Sequence, residues 1–475
     1  MFVAGVIAVT SLGALAYVAS IAASGTGYEA QTLCSAIFIS GRTEASVESA
    51  EFQGLHPLLQ LVSHSIDREA REVRVSLLGL GAQKSIFRPG LGCTLTDLDA
   101  TLPAPPAVLV QPRPASSDLI EAGPIQTPAD VGIARLQAAV AEAFTEPNLR
   151  DLRRTRAVLV VQNGRILAER YARGFSKGMP LAGYSLTKTI TGALVGILNG
   201  RGLIDVDEPV PMALWRTPGD PHAAITVGYL LHMTSGLAWS EDTHDPRSDV
   251  LLMAYHSRDT ADYAAHRPMA HPAGHVFAYN SGATNIVARV LLTALRNNRD
   301  EYLALPRTAL FDPAGMSSAV LAPDASGTLF GSTQAFATAR DWARFGELYL
   351  HDGQRNGVQV LPHGWVHFCA TPEPATQMAG YGALIWENRP RPGHPRDRPR
   401  PALPEDTLLM TGQFGQTIAV IPSYNAVIVR LGETHGGTIE LDRERLIAGV
   451  LSALRQGPPD QMAAFGDMHS YRQPR

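Results

Sequence analysis

The sequence predicts an α+β fold, an antiparallel sheet flanked by helices, with a mainly helical insertion between the early and late strands. Three observations predict it. Ala157-Val158-Leu159-Val160-Val161 is an apolar strand, Asn163-Gly164 is a hairpin turn, and Ile166–Tyr171 is the returning strand. Far along the chain, Thr417–Ile421 and Ala426–Leu431 form a second strand pair joined by Ser423-Tyr424-Asn425. Between the pairs, residues 225–325 read mainly as helix with long loops. Strands drawn from distant segments, with helices between them, belong to one sheet.

The chain has 475 residues, of which 45% are hydrophobic and 18% charged, enough for a large core and two or three domains. The net charge is -4 and no long basic run occurs, so nucleic acid is not an expected partner. Residues 2–23 carry no charge, and the first basic residue is Arg42. That length reads as an N-terminal transmembrane anchor over 1–24, in preference to a removed signal or a buried core helix. Residues 25–100 form an N-terminal extension, with one alternating strand at Val73–Leu78. In an exported segment Cys34 and Cys93 are the disulfide candidates, leaving Cys369 as a buried thiol. Residues 101–128 hold seven prolines and read as a linker. The main domain is expected over 129–475, with its helical insertion at about 216–325.

Within that domain, Ile133, Leu136, Val140 and Ala143 mark one helix face. Thr226 is a candidate N-cap, a helix is expected from Thr284 through Leu295, and a final helix contains Leu446–Leu454. The chemistry centres on Tyr184-Ser185-Leu186-Thr187-Lys188, followed by the apolar helical pattern Ile190, Leu194, Ile197 and Leu198. Residues i and i+3 share a helix face, so Ser185 and Lys188 project side by side from the first turn. A serine nucleophile needs such a neighbour to take its proton. The helix N-terminus favours an anion at Ser185 and disfavours charge on Lys188. Only Lys84, Lys177 and Lys188 are lysines among 40 Lys and Arg, which makes this spacing less accidental. Read alone, Ser-x-x-Lys is equally a solvated pair on a surface helix.

The other segments sharpen it. Leu230-Leu231-His232-Met233-Thr234-Ser235-Gly236-Leu237, Phe277-Ala278-Tyr279-Asn280-Ser281-Gly282, Ala339–Gly346 and Gly412-Gln413-Phe414-Gly415-Gln416 follow in that order. Over residues 130–455 the set resembles the serine β-lactamase-like hydrolases, the superfamily of class C β-lactamases and penicillin-binding proteins, and within it the 6-aminohexanoate-dimer hydrolase and esterase group. The resemblance implies a β-lactamase/transpeptidase-like fold. It implies Ser185 as acylated nucleophile, Lys188 as its base and Tyr279 as the proton shuttle. It further implies oxyanion or substrate-lining roles around Ser281, Met410, Gly412 and Gln413, with Met410 supplying an oxyanion N–H.

The pattern departs from the lactamases in two places. The middle motif reads Tyr279-Asn280-Ser281 where those enzymes have Tyr-x-Asn, and no lysine follows Lys188, so Lys-Thr-Gly is absent. The third motif is expected near Thr407-Leu408-Leu409, without a cationic group, and His435-Gly436-Gly437 reads as a loop. The expected function is hydrolysis of small esters or linear amides, with no cofactor and no metal, in the bacterial cell envelope: the periplasm or the periplasmic face of the inner membrane. A peptidoglycan-directed D-amino-acid peptidase and a non-catalytic scaffold are the alternatives. His271 and His275 are separated by Pro272 and Gly274, which break the helix a metal pair would need. Asp242, His244 and Asp245 form a polar loop, and Trp239 and Trp386 either wall the pocket or pack in the core.

Overall fold

The computed structural model describes residues 2–52, 57–111, 120–121, 130–148, 151–435 and 439–454. The chain opens with α1 (Phe2–Cys34), a π-helical turn (Ser35–Ile39) and α2 (Glu44–Glu51). The strands β1 (Val62–Asp67), β2 (Glu72–Leu77), β3 (Leu80–Arg88) and β4 (Gly92–Thr96) follow as a four-stranded sheet in sequential order, every pair antiparallel. The bounds expected for the N-terminal segment, 1–24, are not those of the helix. The helix does not end there; it runs on to Cys34, and Ile21, Ala22, Ala30, Leu33 and Cys34 are buried. Ala30, Leu33 and Cys34 form a core with Val73, Val75 and Cys93 of the sheet. Among the described residues no helix is long and apolar enough to cross a membrane. The side chains of residues 1–16 and 18 lie outside the described set.

Cys34 and Cys93 form a disulfide that joins α1 to β4 across 59 residues. Closing a loop of that size stabilises by roughly 4 kcal/mol in the chain-entropy model. The extension is also bonded to the rest of the molecule. Ser20 Oγ donates to the Pro246 carbonyl at 2.8 Å, Gln31 Nε2 to Gln334 Oε1 at 3.1 Å and Thr94 Oγ1 to the Pro323 carbonyl at 2.8 Å. Buried Glu51 binds both Arg42 and Arg156, and Arg156 lies 3.2 Å from buried Glu433.

Most of the proline-rich linker, residues 112–119 and 122–128, lies outside the described set, but β5 (Ile120–Glu121) is in place. Next come α3 (Asp130–Glu142), β6 (Thr155–Gln162), β7 (Arg165–Tyr171), β8 (Leu181–Ala182) and α4 (Leu186–Gly200). The helical lobe holds α5 (Val227–Leu231), α6 (Asp249–Tyr255), α7 (Thr260–Ala265), α8 (Ser281–Ala294) and α9 (Arg299–Leu305). After it come β9 (Val320–Leu321), β10 (Ala335–Ala337), α10 (Ala339–Leu350), β11 (Gln354–Arg355), β12 (Val358–Gln359) and α11 (Trp365–Ala370). The chain closes with β13 (Leu408–Gly412), β14 (Gln416–Ile421), β15 (Ala426–Gly432) and α12 (Ile439–Ala453). Thr226 caps α5 as expected, its side chain accepting the Tyr229 N–H. By contrast, α8 begins three residues before Thr284, because the Asn280 side chain accepts the Ala283 N–H and fixes the first turn there.

The central sheet has six strands in the order β13-β14-β15-β6-β7-β5, with the early and late pairs joined through β15 and β6, and β5 parallel at the far edge. Alternation along these strands builds two cores. Leu159, Val161, Ile418, Val420, Val427 and Val429 face α4 and α10. Val158, Val160, Ala419, Ile421 and Ile428 face α3 and α12, meeting Leu136, Val140, Ile447 and Val450. A smaller sheet, ordered β8-β10-β9, holds the segment that leads into α4.

In the extension, His64 on β1 ties two helices together: Nδ1 lies 2.7 Å from Glu29 of α1 and Nε2 lies 2.8 Å from Glu44 of α2. The Glu29 hydrogen bond foremost, with Glu44 beside it, raises the imidazole to about 9. Because the folded value lies above the unfolded one, this contribution is full below about pH 6.5 and is lost as pH rises through about 9. Protease resistance of residues 25–100 is therefore expected to fall between pH 6.5 and 9 in the wild type, and a His64→Gln variant is expected to lose that dependence. An identical pH profile for the two proteins contradicts the assignment.

Candidate active site

Ser185 caps α4, but its hydroxyl makes no capping bond; instead it receives the Lys188 Nζ at 2.8 Å. Lys188 is 1% exposed, and its Nζ also reaches the Ser332 carbonyl at 3.4 Å. The same Nζ sits 4.8 Å from the centre of the Tyr279 ring. One buried amine thus joins the serine, the tyrosine ring and a backbone carbonyl. The turn before it is strained. Tyr184 has φ 48, a left-handed conformation that side-chain-bearing residues avoid. The first backbone bonds of α4 run from Leu186 N–H to the Gly183 carbonyl and from Thr187 N–H to the Tyr184 carbonyl. The Ser185 N–H is left at the exposed start of the helix.

Tyr279 is carried by a loop propped from below. The Ala278 N–H donates to the Met233 carbonyl at 2.9 Å, and the Asn280 N–H to Met233 Sδ at 3.4 Å. Met233 itself has φ 59. The Leu230–Leu237 motif therefore serves as the support of the tyrosine loop. The Tyr279 ring stacks on Trp386, with centroids 6.1 Å apart and planes 13° apart, and Tyr381 meets both rings edge-on. Trp386 exchanges backbone hydrogen bonds with Leu409, at 2.9 and 2.8 Å, so this aromatic wall hangs on the free edge of β13.

The four residues expected to line the site fall in different places. Ser281 is buried, and both its N–H and its hydroxyl bind Glu241, so its polar atoms are committed to fixing the loop. Met410 is 1% exposed and pairs with Ile418 inside the sheet. Leu409 turns its N–H outward to Trp386, so alternation turns the Met410 N–H inward. That corrects Met410 as an oxyanion donor. Gly412 is where β13 meets the turn before Ser185: a Cβ there would come within 2.4 Å of the Gly183 carbonyl. The next residue, Gln413, is exposed, and by the same alternation its N–H faces outward. The edge beside Ser185 is therefore Gly412–Gln413, not Thr407–Leu409, which is buried.

Sequence reading missed Glu241. Its carboxylate gathers three donors, from Ser281 N–H, Ser281 Oγ and Trp239 Nε1. It stands in the same polar loop as Asp242 and His244, which are exposed and pair with each other. Nothing in the local sequence separates the buried-facing acid from its solvated neighbours. Asp341 pairs with Arg344 at 2.6 Å and binds Ser318, a structural role. His232 is buried against Phe368, and desolvation lowers it to about 4, so it is neutral. His435 packs on Phe414, while residues 436–438 lie outside the described set. Among the described residues one group of three metal-type ligands lies together, Glu44, Glu48 and His64, on the extension.

A two-core sheet, a helical lobe and a serine–lysine–tyrosine cluster at the start of the buried helix define a β-lactamase-like hydrolase fold. The chain belongs to the Beta-lactamase family, whose family model matches residues 141–452. It is 29% identical over 224 residues to the 6-aminohexanoate-dimer hydrolase of Paenarthrobacter ureafaciens, a match that covers 45% of this chain and 56% of that protein. The chain thus matches little more than half the length of that relative. A Bacillus anthracis structure, provisionally assigned as a 6-aminohexanoate-dimer hydrolase, superposes with a TM-score of 0.52 at 25% identity, covering 64% of this chain and 81% of that one. The hydrolase EstCE1, at 15% identity and a TM-score of 0.51 over 68% of this chain and all of its own, shares the fold.

Replacing Glu241 with Ala strands two N–H groups and a hydroxyl. It is expected to cost about 2–4 kcal/mol in denaturant unfolding. An unchanged unfolding midpoint contradicts this role.

Proposed function

We propose that the protein is a serine hydrolase that cleaves small esters or linear amides through an acyl-enzyme on Ser185. The contact that carries this reading is Lys188 Nζ at 2.8 Å from Ser185 Oγ, in a buried site that also holds the Tyr279 ring. Ser185 Oγ attacks the carbonyl carbon, and its proton passes to Lys188. The tetrahedral oxyanion is met by two backbone N–H groups, those of Ser185 and Gln413. Tyr279 hands a proton to the departing alcohol or amine as its bond to the carbonyl carbon breaks, then takes one from the water that attacks the acyl carbon; as the acid leaves, Lys188 returns its proton to Ser185 Oγ.

Substrate preference follows from what β13 lacks. Met410 occupies the edge strand with an apolar, buried side chain, and no lysine follows Lys188 in the chain. A fixed cation for a β-lactam carboxylate is missing from that strand. The aromatic wall of Phe277, Tyr279, Tyr381 and Trp386 favours an apolar acyl or leaving group. The relative named as a 6-aminohexanoate-dimer hydrolase supports including linear amides. The Cys34–Cys93 disulfide supports an oxidising compartment such as the bacterial cell envelope.

Two outcomes test this. A fluorophosphonate probe is expected to label Ser185, read by peptide mass, and nitrophenyl butyrate turnover is expected to drop about 10³-fold or more in Ser185→Ala; equal labelling or turnover in that variant sinks the proposal. Tyr279→Phe keeps the ring that stacks on Trp386 and removes only the hydroxyl, so kcat is expected to fall roughly 10²–10⁴-fold with little change in thermal stability. A Tyr279→Phe enzyme with wild-type kcat on esters and on a linear aminohexanoate amide would remove the shuttle from the mechanism.

A further inference from the structure

Between the extension and the main domain lies a second pocket, with an empty volume of about 570 Å³ including its open mouth. The extension lines it with Tyr28, Thr32 and Ser35, and the main domain with Tyr184, Tyr255 and Gln334. Ser35 is 3% exposed, and its Oγ has no hydrogen-bond partner. A buried hydroxyl is rarely left in that state unless something outside the chain satisfies it. Ser35 also opens the π-helical turn Ser35–Ile39, closed by the Ser40 N–H on the Ser35 carbonyl at 3.1 Å. Such turns are frequent at functional sites. The hydroxyls of Tyr28, Tyr184 and Tyr255 likewise take no hydrogen bond among the described residues, and all three side chains are largely buried.

The charges on this wall are already spent on one another. Arg42 and Arg156 both bind Glu51, and Arg156 also reaches Glu433. What remains free is a set of neutral hydroxyls beside aromatic faces, with the Tyr28 and Tyr255 rings edge-to-face at 6.2 Å. We propose that this pocket binds a small uncharged molecule rich in hydroxyl and amide groups, of about monosaccharide size. It touches the catalytic machinery from behind. Tyr184 is the strained residue immediately before Ser185, and Thr333, also in the lining, follows the Ser332 whose carbonyl receives Lys188. An occupant therefore bears on the turn that presents the nucleophile. Half of the wall comes from the extension, which lies outside the residues 141–452 matched by the family.

The binding itself stands apart from the acyl-enzyme reading and is tested without turnover. The full chain is titrated calorimetrically with N-acetylglucosamine, which carries both group types, and with acetate as a charged comparator. Saturable heat is expected with the sugar and none with acetate. Ser35→Ala and Tyr28→Phe are each expected to weaken sugar binding by about tenfold or more. Ser35→Ala removes an unsatisfied hydroxyl, so its melting temperature is expected to stay level or rise, which separates lost binding from lost folding. No saturable heat with sugar up to roughly 50 mM overturns the proposal, since a site weaker than that is no site. Wild-type affinity in both variants, or acetate competing with the sugar, overturns it equally.

Discussion

The contact between Lys188 and Ser185 governs much of the architecture around it. A lysine amine at 1% exposure has left water and must find its partners inside the protein. Here they are a hydroxyl at 2.8 Å, a carbonyl at 3.4 Å and an aromatic face at 4.8 Å, and among the described residues no carboxylate lies within ion-pair distance. Each partner comes from a different part of the chain: α4, the segment before β10 and the loop before α8. Holding them together requires α4 to run through the core, and its residues from Leu186 to Leu198 are all buried. It also requires tight backbone turns. Tyr184, Met233, Leu384 and Phe414 all have positive φ, and all lie in segments that wall or support this cluster. Left-handed residues of this kind cost about 1–3 kcal/mol each and persist where packing over-determines them.

The extension extends the same logic outward. Its core is small, and it is held by a disulfide, by the Glu29–His64–Glu44 bridge and by the shared pairing of Glu51 with Arg42 and Arg156. Arg156 stands at the start of β6 and Tyr184 at the entrance to α4, so the extension is seated against the end of the sheet where the Ser185 turn lies. The apolar run at the N-terminus looks like an isolated segment in one dimension. In three dimensions its later turns are one side of a packed unit, and Glu29, the first charge after the run, is buried on His64.

Much of the fold was legible because period and turn chemistry are local. The strand pair around Asn163-Gly164, the late pair around Tyr424-Asn425, the Thr226 cap and the buried face of α4 all appear where alternation or capping placed them. The start of α8 was misplaced by three residues because the cap is Asn280, which was read as the middle of a loop motif and not as a cap. The small sheet of β8, β9 and β10 was not legible at all: strands of two or three residues carry no period.

By itself the sequence determined the pairing of Ser185 with Lys188, because helical spacing of three places them on one face whatever surrounds them. It determined that Tyr279 belongs to an ordered series of motifs, and that no lysine could serve a third one. Tertiary structure alone decided which backbone edge meets Ser185. Gly412 approaches the Gly183 carbonyl closely enough to exclude a side chain, and Met410 turns into the sheet, a distinction of strand parity that residue types do not encode. It alone decided that Ser281 serves Glu241, and that the extension closes a pocket behind Tyr184. These depend on contacts between residues tens to hundreds of positions apart, and such contacts leave no trace in local pattern.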